Sequence, residues 1–135
     1  MTPKNRLRGF SLLELMIVIA ILSTLAAIVV PKFGDLLRKS KEGGTLANLG
    51  SLRSALNIYN ADTEGIYPSS LLGLTQNARY LSTTPKIAVP YYHGATNAEA
   101  GSVTDAGGWT YLAATGAVMV NCTHTDTKGK VWTAY

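Results

Sequence analysis

The chain has 135 residues, a formal net charge of +4 and one cysteine, Cys122. This length corresponds to about one domain, and because a long apolar run occupies part of it, the rest can bury only a modest core. Of the 12 basic residues, Lys4, Arg6 and Arg8 precede that run, which leaves 9 basic against 8 acidic side chains and no dense basic patch for nucleic acid. One cysteine excludes an intrachain disulfide and a metal site built on a cysteine pair.

The run from Phe10 to Val30 is mostly Leu, Ile, Val, Ala and Met, with Glu14 as its one charged residue. As a helix it would be about 32 Å long, close to the hydrocarbon thickness of a bilayer. The basic residues before it place the N-terminus in the cytoplasm and the rest of the chain outside. Membrane lipid is therefore an expected partner.

Three interpretations of this run remain open from the residues alone. A cleaved secretory signal usually has a shorter apolar core without an acid, although Ala26 and Ala27 form a weak cleavage candidate. A plain single-span anchor fits the length but leaves Glu14 unexplained, because a carboxylate in a membrane helix is costly. In the third, a cut between Gly9 and Phe10 creates an ammonium on Phe10, and Glu14 of one copy meets the ammonium of a staggered neighbour. That attraction is about 4 kcal/mol at an effective dielectric near 20, before desolvation is subtracted.

The stretch "RGFSLLELMIVIAIL" closely resembles the type III signal sequence of type IV pilins and type II secretion pseudopilins. The resemblance implies that a prepilin peptidase removes the leader, residues 1–9, after Gly9, and that Phe10 is then N-methylated. It implies that Glu14 aligns subunits during assembly and that Pro31 kinks the helix. It also implies as partners other copies of the chain, other pilins or pseudopilins, an assembly platform and a cytoplasmic ATPase.

Residues 31–60 are predicted to be the amphipathic half of the same helix. Apolar residues recur there at steps of three and four, which is one face of a helix: Leu46, Leu49, Leu52, Leu56 and Tyr59. Four charged residues crowd one turn and are expected to be solvated: Arg38, Lys39, Lys41 and Glu42. Glycines such as Gly43 and Gly44 weaken the helix. This stretch therefore bends, or simply tolerates the glycines, or loses helical structure when subunits pack into a filament.

Residues 61–135 are predicted to be a loop followed by a β-sheet headgroup. Gly65 and Pro68 end the helix, and "DTEGIYPSSLLGL" is similar to the loop after the long helix in major pseudopilins and some pilins. Residues 86–108 are expected to be loop. Alternating residues around Gly116 predict a β-hairpin in "WTYLAATGAVMVN", and "KVWTAY" is expected to add a last strand.

The predicted fold class is therefore α+β. A long N-terminal α-helix, membrane-spanning over residues 10–30 and amphipathic over residues 31–60, packs on a small C-terminal antiparallel β-sheet. This arrangement agrees with what the resemblance to pilins implies.

The sequence predicts no catalytic site, no cofactor and no metal. Cys122, His124 and Asp126 alternate and would share one face of a strand, but three potential ligands at this spacing match no usual zinc signature. A polar strand or loop edge is the simpler interpretation. Some major pseudopilins bind calcium in a C-terminal loop, and that loop pattern is not recognisable here.

The function predicted is that of a structural subunit of a helical filament, either type IV pilus-like or a type II secretion pseudopilus, processed from a membrane precursor. The alternative is a small binding domain, secreted or membrane-anchored, that does not polymerise. The expected location is the inner membrane of a bacterial cell, with one span, a cytoplasmic N-terminus and a periplasmic C-terminal domain. The assembled filament would lie in the periplasm or at the cell surface.

Overall fold

The computed structural model describes residues 9–135, which fall into two compact units. The first unit ends at Leu36, and the second unit runs from Leu37 to Tyr135. The predicted leader, apart from Gly9, lies outside the described residues. One α-helix, α1 (Leu12–Asp62), supplies residues to both units. The predicted boundaries at residues 30/31 and 60/61 stay predictions.

In the first unit, α1 is apolar on all sides up to Val30 apart from Glu14, Ser23 and Thr24, and every described side chain is exposed. Its N-terminal part is long and apolar enough to cross a membrane by length and composition. Pro31 lies inside the helix. Because proline has no N–H, the carbonyl one turn earlier lacks its usual helical donor.

In the second unit, α1 buries one face. Leu49, Leu52 and Leu56 are buried, and Leu46 and Tyr59 pack against them, which confirms the amphipathic face predicted from their spacing. The expectation that the charged turn is entirely solvated is wrong for one residue. Glu42 is buried, and its carboxylate accepts hydrogen bonds from the Thr127 amide at 3.2 Å and from Arg38 Nε at 3.2 Å.

The helix ends at Asp62, within the segment 60–70 predicted to end it, and just beyond it the Gly65 amide donates to the Asn60 carbonyl at 2.9 Å. A 3₁₀ helix, Leu71–Ala78, follows. The Ser70 side chain caps its start by accepting from the Leu72 amide. Leu71 and Leu74 from this helix belong to the core.

Among residues 9–135, five short strands form two sheets. The first sheet pairs β1 (Ile87–Val89) and β2 (His93–Thr96) antiparallel. The second has the order β3 (Glu99–Ala100), β4 (Trp109–Leu112), β5 (Ala117–Val120). The pair β3–β4 is parallel and β4–β5 is antiparallel, so the α+β class is confirmed but the sheets are not purely antiparallel. Residues 86–108 are thus not all loop, because β1 buries Ile87 and Val89 in the core.

The predicted hairpin is confirmed, with Trp109 opposite Val120 and Leu112 opposite Ala117. Its turn needs a glycine, since Gly116 has φ +69° and a Cβ there would lie 2.2 Å from the Tyr67 ring. Tyr111 on β4 is buried and donates its hydroxyl proton to the Pro68 carbonyl at 2.7 Å. Burial raises the pKa of Tyr111 to about 12.

The predicted C-terminal strand is wrong. Residues Trp132–Ala134 form a 3₁₀ helix, and the segment has a single β-bridge, between Thr125 and Val131. The Trp132 ring is fully buried in the core, and the Trp132 amide donates to the His124 carbonyl at 3.1 Å. The C-terminal segment therefore buries the Trp132 side chain from a 3₁₀ turn and does not add a strand to the sheet.

Candidate functional sites

The first candidate site is the start of α1, where Glu14 lies in the first helical turn. Glu14 Oε2 accepts a hydrogen bond from the Ser11 amide at 3.1 Å, and Ser11 Oγ accepts one from the Glu14 amide at 3.2 Å. These reciprocal bonds form a capping box. The pattern Ser-x-x-Glu in the sequence could have revealed this second role of Glu14, which the sequence interpretation missed.

The Gly9–Phe10 peptide bond precedes this cap. Gly9, Phe10 and Ser11 are not helical, and Gly9 and Phe10 are exposed. A Cβ added at Gly9 would meet no atom within 4 Å. Exposed, non-helical backbone is the kind that proteases cleave. Within residues 9–135, Glu14 uses one carboxylate oxygen on the Ser11 amide, and its other oxygen accepts no hydrogen bond.

The second candidate site is a group of four side chains in the second unit that we call the His–Asp–Cys cluster: His93, Asp105, Cys122 and His124. Each offers one potential ligand atom, and these four atoms lie within 4.8 Å of one another. Asp105 Oδ1 is 3.3 Å from His93 Nε2 and 3.4 Å from His124 Nδ1. His124 Nδ1 is also 3.5 Å from Cys122 Sγ. Cys122 is buried, and the other three are partly buried.

A buried amide side chain holds Asp105 in position. Asn121 Oδ1 accepts hydrogen bonds from the backbone amides of Thr104 at 2.7 Å and Asp105 at 3.0 Å. Its Nδ2 donates to Thr104 Oγ1 and to the Gly107 carbonyl. Because Asn121 directly precedes Cys122, the same residue fixes both the aspartate and the cysteine.

Backbone contacts complete the cluster. Gly107 has φ +81°, and a Cβ there would lie 3.0 Å from that of His93, so only glycine lets the loop approach β2 this closely. The Thr123 amide donates to Asp105 Oδ1 at 2.8 Å. The ring of His124 stacks on that of Tyr92 with their centroids 3.8 Å apart.

The electrostatics of the cluster differ from residue to residue. The hydrogen bond from the Thr123 amide lowers the pKa of Asp105 and outweighs its partial desolvation. Burial raises the pKa of the Cys122 thiol. Asp105 is therefore an anion at neutral pH, while Cys122 carries its proton unless a cation displaces it.

Asp126 does not join Cys122 and His124, although the three alternate in sequence. Residues 121–124 form no strand, so the alternation does not place the three on one face. The carboxylate of Asp126 accepts from the Tyr135 hydroxyl and from the amides of Lys128 and Lys130, at 2.8 and 2.9 Å for the two amides. Sequence reasoning missed His93 and Asp105, which come from distant segments and carry no local signal.

Comparison with known proteins identifies the N-terminal segment. The family model described as the prokaryotic N-terminal methylation motif matches residues 4–30. A type II secretion system core protein G of Pectobacterium carotovorum subsp. carotovorum is 44% identical over 69 residues, covering 51% of this chain and 44% of that protein. The type II secretion system core protein G of Escherichia coli K12 is 33% identical over 91 residues, which cover 67% of this chain and 61% of that protein.

Pilins are similar as well. The type IV major fimbrial protein FimA of Dichelobacter nodosus is 36% identical over 76 residues, 55% of this chain and 48% of that protein. This chain thus spans between 44% and 61% of the length of the core protein G relatives from Pectobacterium, Dickeya and Escherichia coli. No solved structure matches it significantly. The resemblance predicted from residues 8–22 is confirmed.

Proposed function

We propose that this chain, which carries the N-terminal motif of the type IV pilins and type II secretion pseudopilins, is a structural subunit of a helical filament. The observation that carries the proposal is the start of α1. The first part of α1 is apolar and exposed, begins at Leu12 just after the exposed residues Gly9 and Phe10, and has Glu14 in its first turn. Apolar surface of that extent needs lipid or other protein around it.

The proposed life cycle begins with a membrane precursor. Residues 10–30 span the inner membrane with the N-terminus in the cytoplasm, a prepilin peptidase cuts after Gly9, and Phe10 is methylated. The apolar helices of many copies, with other pilins or pseudopilins, then form the core of the filament. An assembly platform and a cytoplasmic ATPase supply the work, since the sequence contains no P-loop pattern of its own. The chain itself has no catalytic role in this proposal.

Glu14 has two successive roles in the proposal. In the precursor its carboxylate caps α1 through Ser11. In the filament it pairs with the Phe10 ammonium of an adjacent subunit and sets the stagger between them. The capping box uses only one of the two carboxylate oxygens of Glu14 among the described residues, and the other is the atom that would make the second contact.

The cleavage step is tested by mass spectrometry of the mature protein from its native membrane. We expect a chain beginning at Phe10, one methyl group heavier than the unmodified one. Replacement of Gly9 by leucine should cause the uncut precursor to accumulate. A mature chain beginning near residue 28 would instead support the alternative, a small secreted domain that does not polymerise.

The two roles of Glu14 can be separated with matched variants. Glu14→Gln keeps a side chain that can complete a capping box but removes the charge, so we expect normal insertion and cleavage but a loss of filaments. Ser11→Ala removes the cap and keeps the charge, and it should still assemble. Filaments from Glu14→Gln in normal yield, seen by shearing and electron microscopy, would contradict the role of the charge.

A further inference from the structure

The His–Asp–Cys cluster has the composition of a four-coordinate metal site: two imidazoles, one carboxylate and one thiol. We propose that it binds Zn²⁺ and that the ion links three separate segments of the second unit. The sequence predicts no metal, because its local pattern matches no zinc signature. The site arises only when the fold brings β2 and the loop before β4 to the segment after β5. This inference does not depend on filament formation.

Three of the six distances within the cluster match the edges of a zinc tetrahedron. Zinc bonds of about 2.0–2.3 Å to nitrogen, oxygen and sulfur give a tetrahedron with edges of about 3.3–3.6 Å. The three distances are 3.3 Å from Asp105 Oδ1 to His93 Nε2, 3.4 Å from Asp105 Oδ1 to His124 Nδ1, and 3.5 Å from His124 Nδ1 to Cys122 Sγ. All four atoms lie within 4.8 Å of one another, so the side chains would close around an ion by about 1 Å at most.

The type of donor atom selects the metal. Thiolate and imidazole ligands suit zinc and similar borderline ions, whereas calcium takes six to eight oxygen ligands. The cluster offers one sulfur, two nitrogens and one aspartate. Four protein donors also leave no open coordination position, which is typical of a structural zinc site rather than a catalytic one.

Hydrogen bonds alone explain the cluster less well. His124 Nδ1 faces both Asp105 Oδ1 and Cys122 Sγ. A protonated Nδ1 can donate to Asp105 but cannot accept from the Cys122 thiol, and an unprotonated Nδ1 can accept from the thiol but then faces the carboxylate with no proton between them. An unprotonated nitrogen, a thiolate and a carboxylate can all point at one cation. Binding zinc would release the thiol proton of Cys122 to solvent, so that the bound ligand is the thiolate.

Neighbouring residues that are not ligands fix the positions of Asp105 and His124, as is typical of a structural metal site. The Thr123 amide donates to the ligating oxygen of Asp105, Asn121 fixes the backbone of Asp105, and Tyr92 stacks on His124. Partners of this kind orient metal ligands and raise affinity. The ion would tie the short β2 strand and the C-terminal segment together in a chain that cannot form a disulfide.

The experiment uses the full-length protein in detergent, without a polyhistidine tag and stripped with a chelator. Zinc alone is added, and the metal content is measured after gel filtration. We expect one zinc per chain and a rise in the unfolding temperature that a chelator reverses. Cobalt in place of zinc should give a thiolate-to-cobalt charge-transfer band and the intense visible bands of four-coordinate cobalt.

Variants identify the ligands. Cys122→Ser should abolish the charge-transfer band and weaken zinc binding by about 100-fold or more, since loss of a mere hydrogen-bond partner of a ligand already costs about 10–100-fold. His93→Ala should weaken it similarly. Asp126→Asn is the matched control, because it perturbs the same C-terminal segment without removing a ligand, and it should still bind one zinc.

Three outcomes would overturn the proposal. They are less than one zinc per chain at saturating metal, zinc binding that Cys122→Ser and His93→Ala leave unchanged, and a cobalt spectrum without the thiolate band. The spectrum of the unmodified protein decides the question even if a variant fails to fold. Selective binding of calcium instead of zinc would also contradict it.

Discussion

Leucine side chains in the two parts of α1 differ in their exposure to solvent. In the first unit Leu22 and Leu25 are 58% and 54% exposed, whereas in the second unit Leu52 and Leu56 are 0% and 1% exposed. The first part is apolar all round, and the second is apolar on one face. The second unit therefore carries its own core, whereas the described residues of the first unit bury none of their apolar side chains.

The largest expected effect tests this contrast directly. Leu52→Ala should lower the free energy of unfolding of the second unit by about 2–5 kcal/mol, because it leaves a cavity in a closed core. Leu22→Ala should leave that free energy unchanged. Urea unfolding in detergent, followed by the fluorescence of Trp109 and Trp132, measures both. Equal destabilisation by the two variants would contradict the conclusion that only the second unit has a closed core.

The next effect concerns two of the acidic residues of α1, one on each side of the boundary between the units. Glu42 is buried and bonded to Thr127 and Arg38, whereas Asp35 is exposed. Glu42→Ala should cost about 1.5–3 kcal/mol, as expected for hydrogen bonds to a charged group. Asp35→Asn, the control, should change stability by less than about 0.5 kcal/mol. A similar loss from both variants would mean that burial does not distinguish the two acids.

A smaller effect depends on pH. Hydrogen bonds from the Tyr135 hydroxyl and from the amides of Lys130 and Lys128 lower the pKa of Asp126 below 3.8, although burial alone would raise it. A depressed pKa in the folded state contributes stability above pH 3.8 that is lost as the pH falls through the folded value. The unfolding temperature should therefore drop below pH 4, and less so in Asp126→Asn. An equally steep drop in the variant would assign the acid sensitivity to other groups.

These contrasts show what the sequence could and could not predict. The leucine spacing of α1 and the alternation around Gly116 are local signals, and both elements formed as predicted. The pair β1–β2 was missed because β2 is mostly polar and partly exposed, so it lacks a hydrophobic alternation. The C-terminal strand was wrongly predicted because the core takes up the Trp132 indole from a 3₁₀ turn.

The two candidate sites also differ in how far the sequence could predict them. The start of α1 is a contiguous motif, so Gly9, Phe10 and Glu14 could be found by inspection, and the capping partner Ser11 could have been. The His–Asp–Cys cluster depends on the packing of His93 and Asp105 against the segment after β5. That information is absent from local spacing and appears only with the tertiary fold.

The smallest effect sharpens the contrast within α1 itself. A Cβ at Gly43 would meet no atom within 4 Å, so Gly43→Ala should stabilise the second unit by about 1 kcal/mol through helix propensity alone. If subunit packing requires this stretch to lose helical structure, the same variant should assemble less well although its monomer is more stable. Thermal unfolding and filament yield, measured on one preparation, separate the two effects. Unchanged filament yield with a raised unfolding temperature would mean that α1 stays helical here in the assembled state.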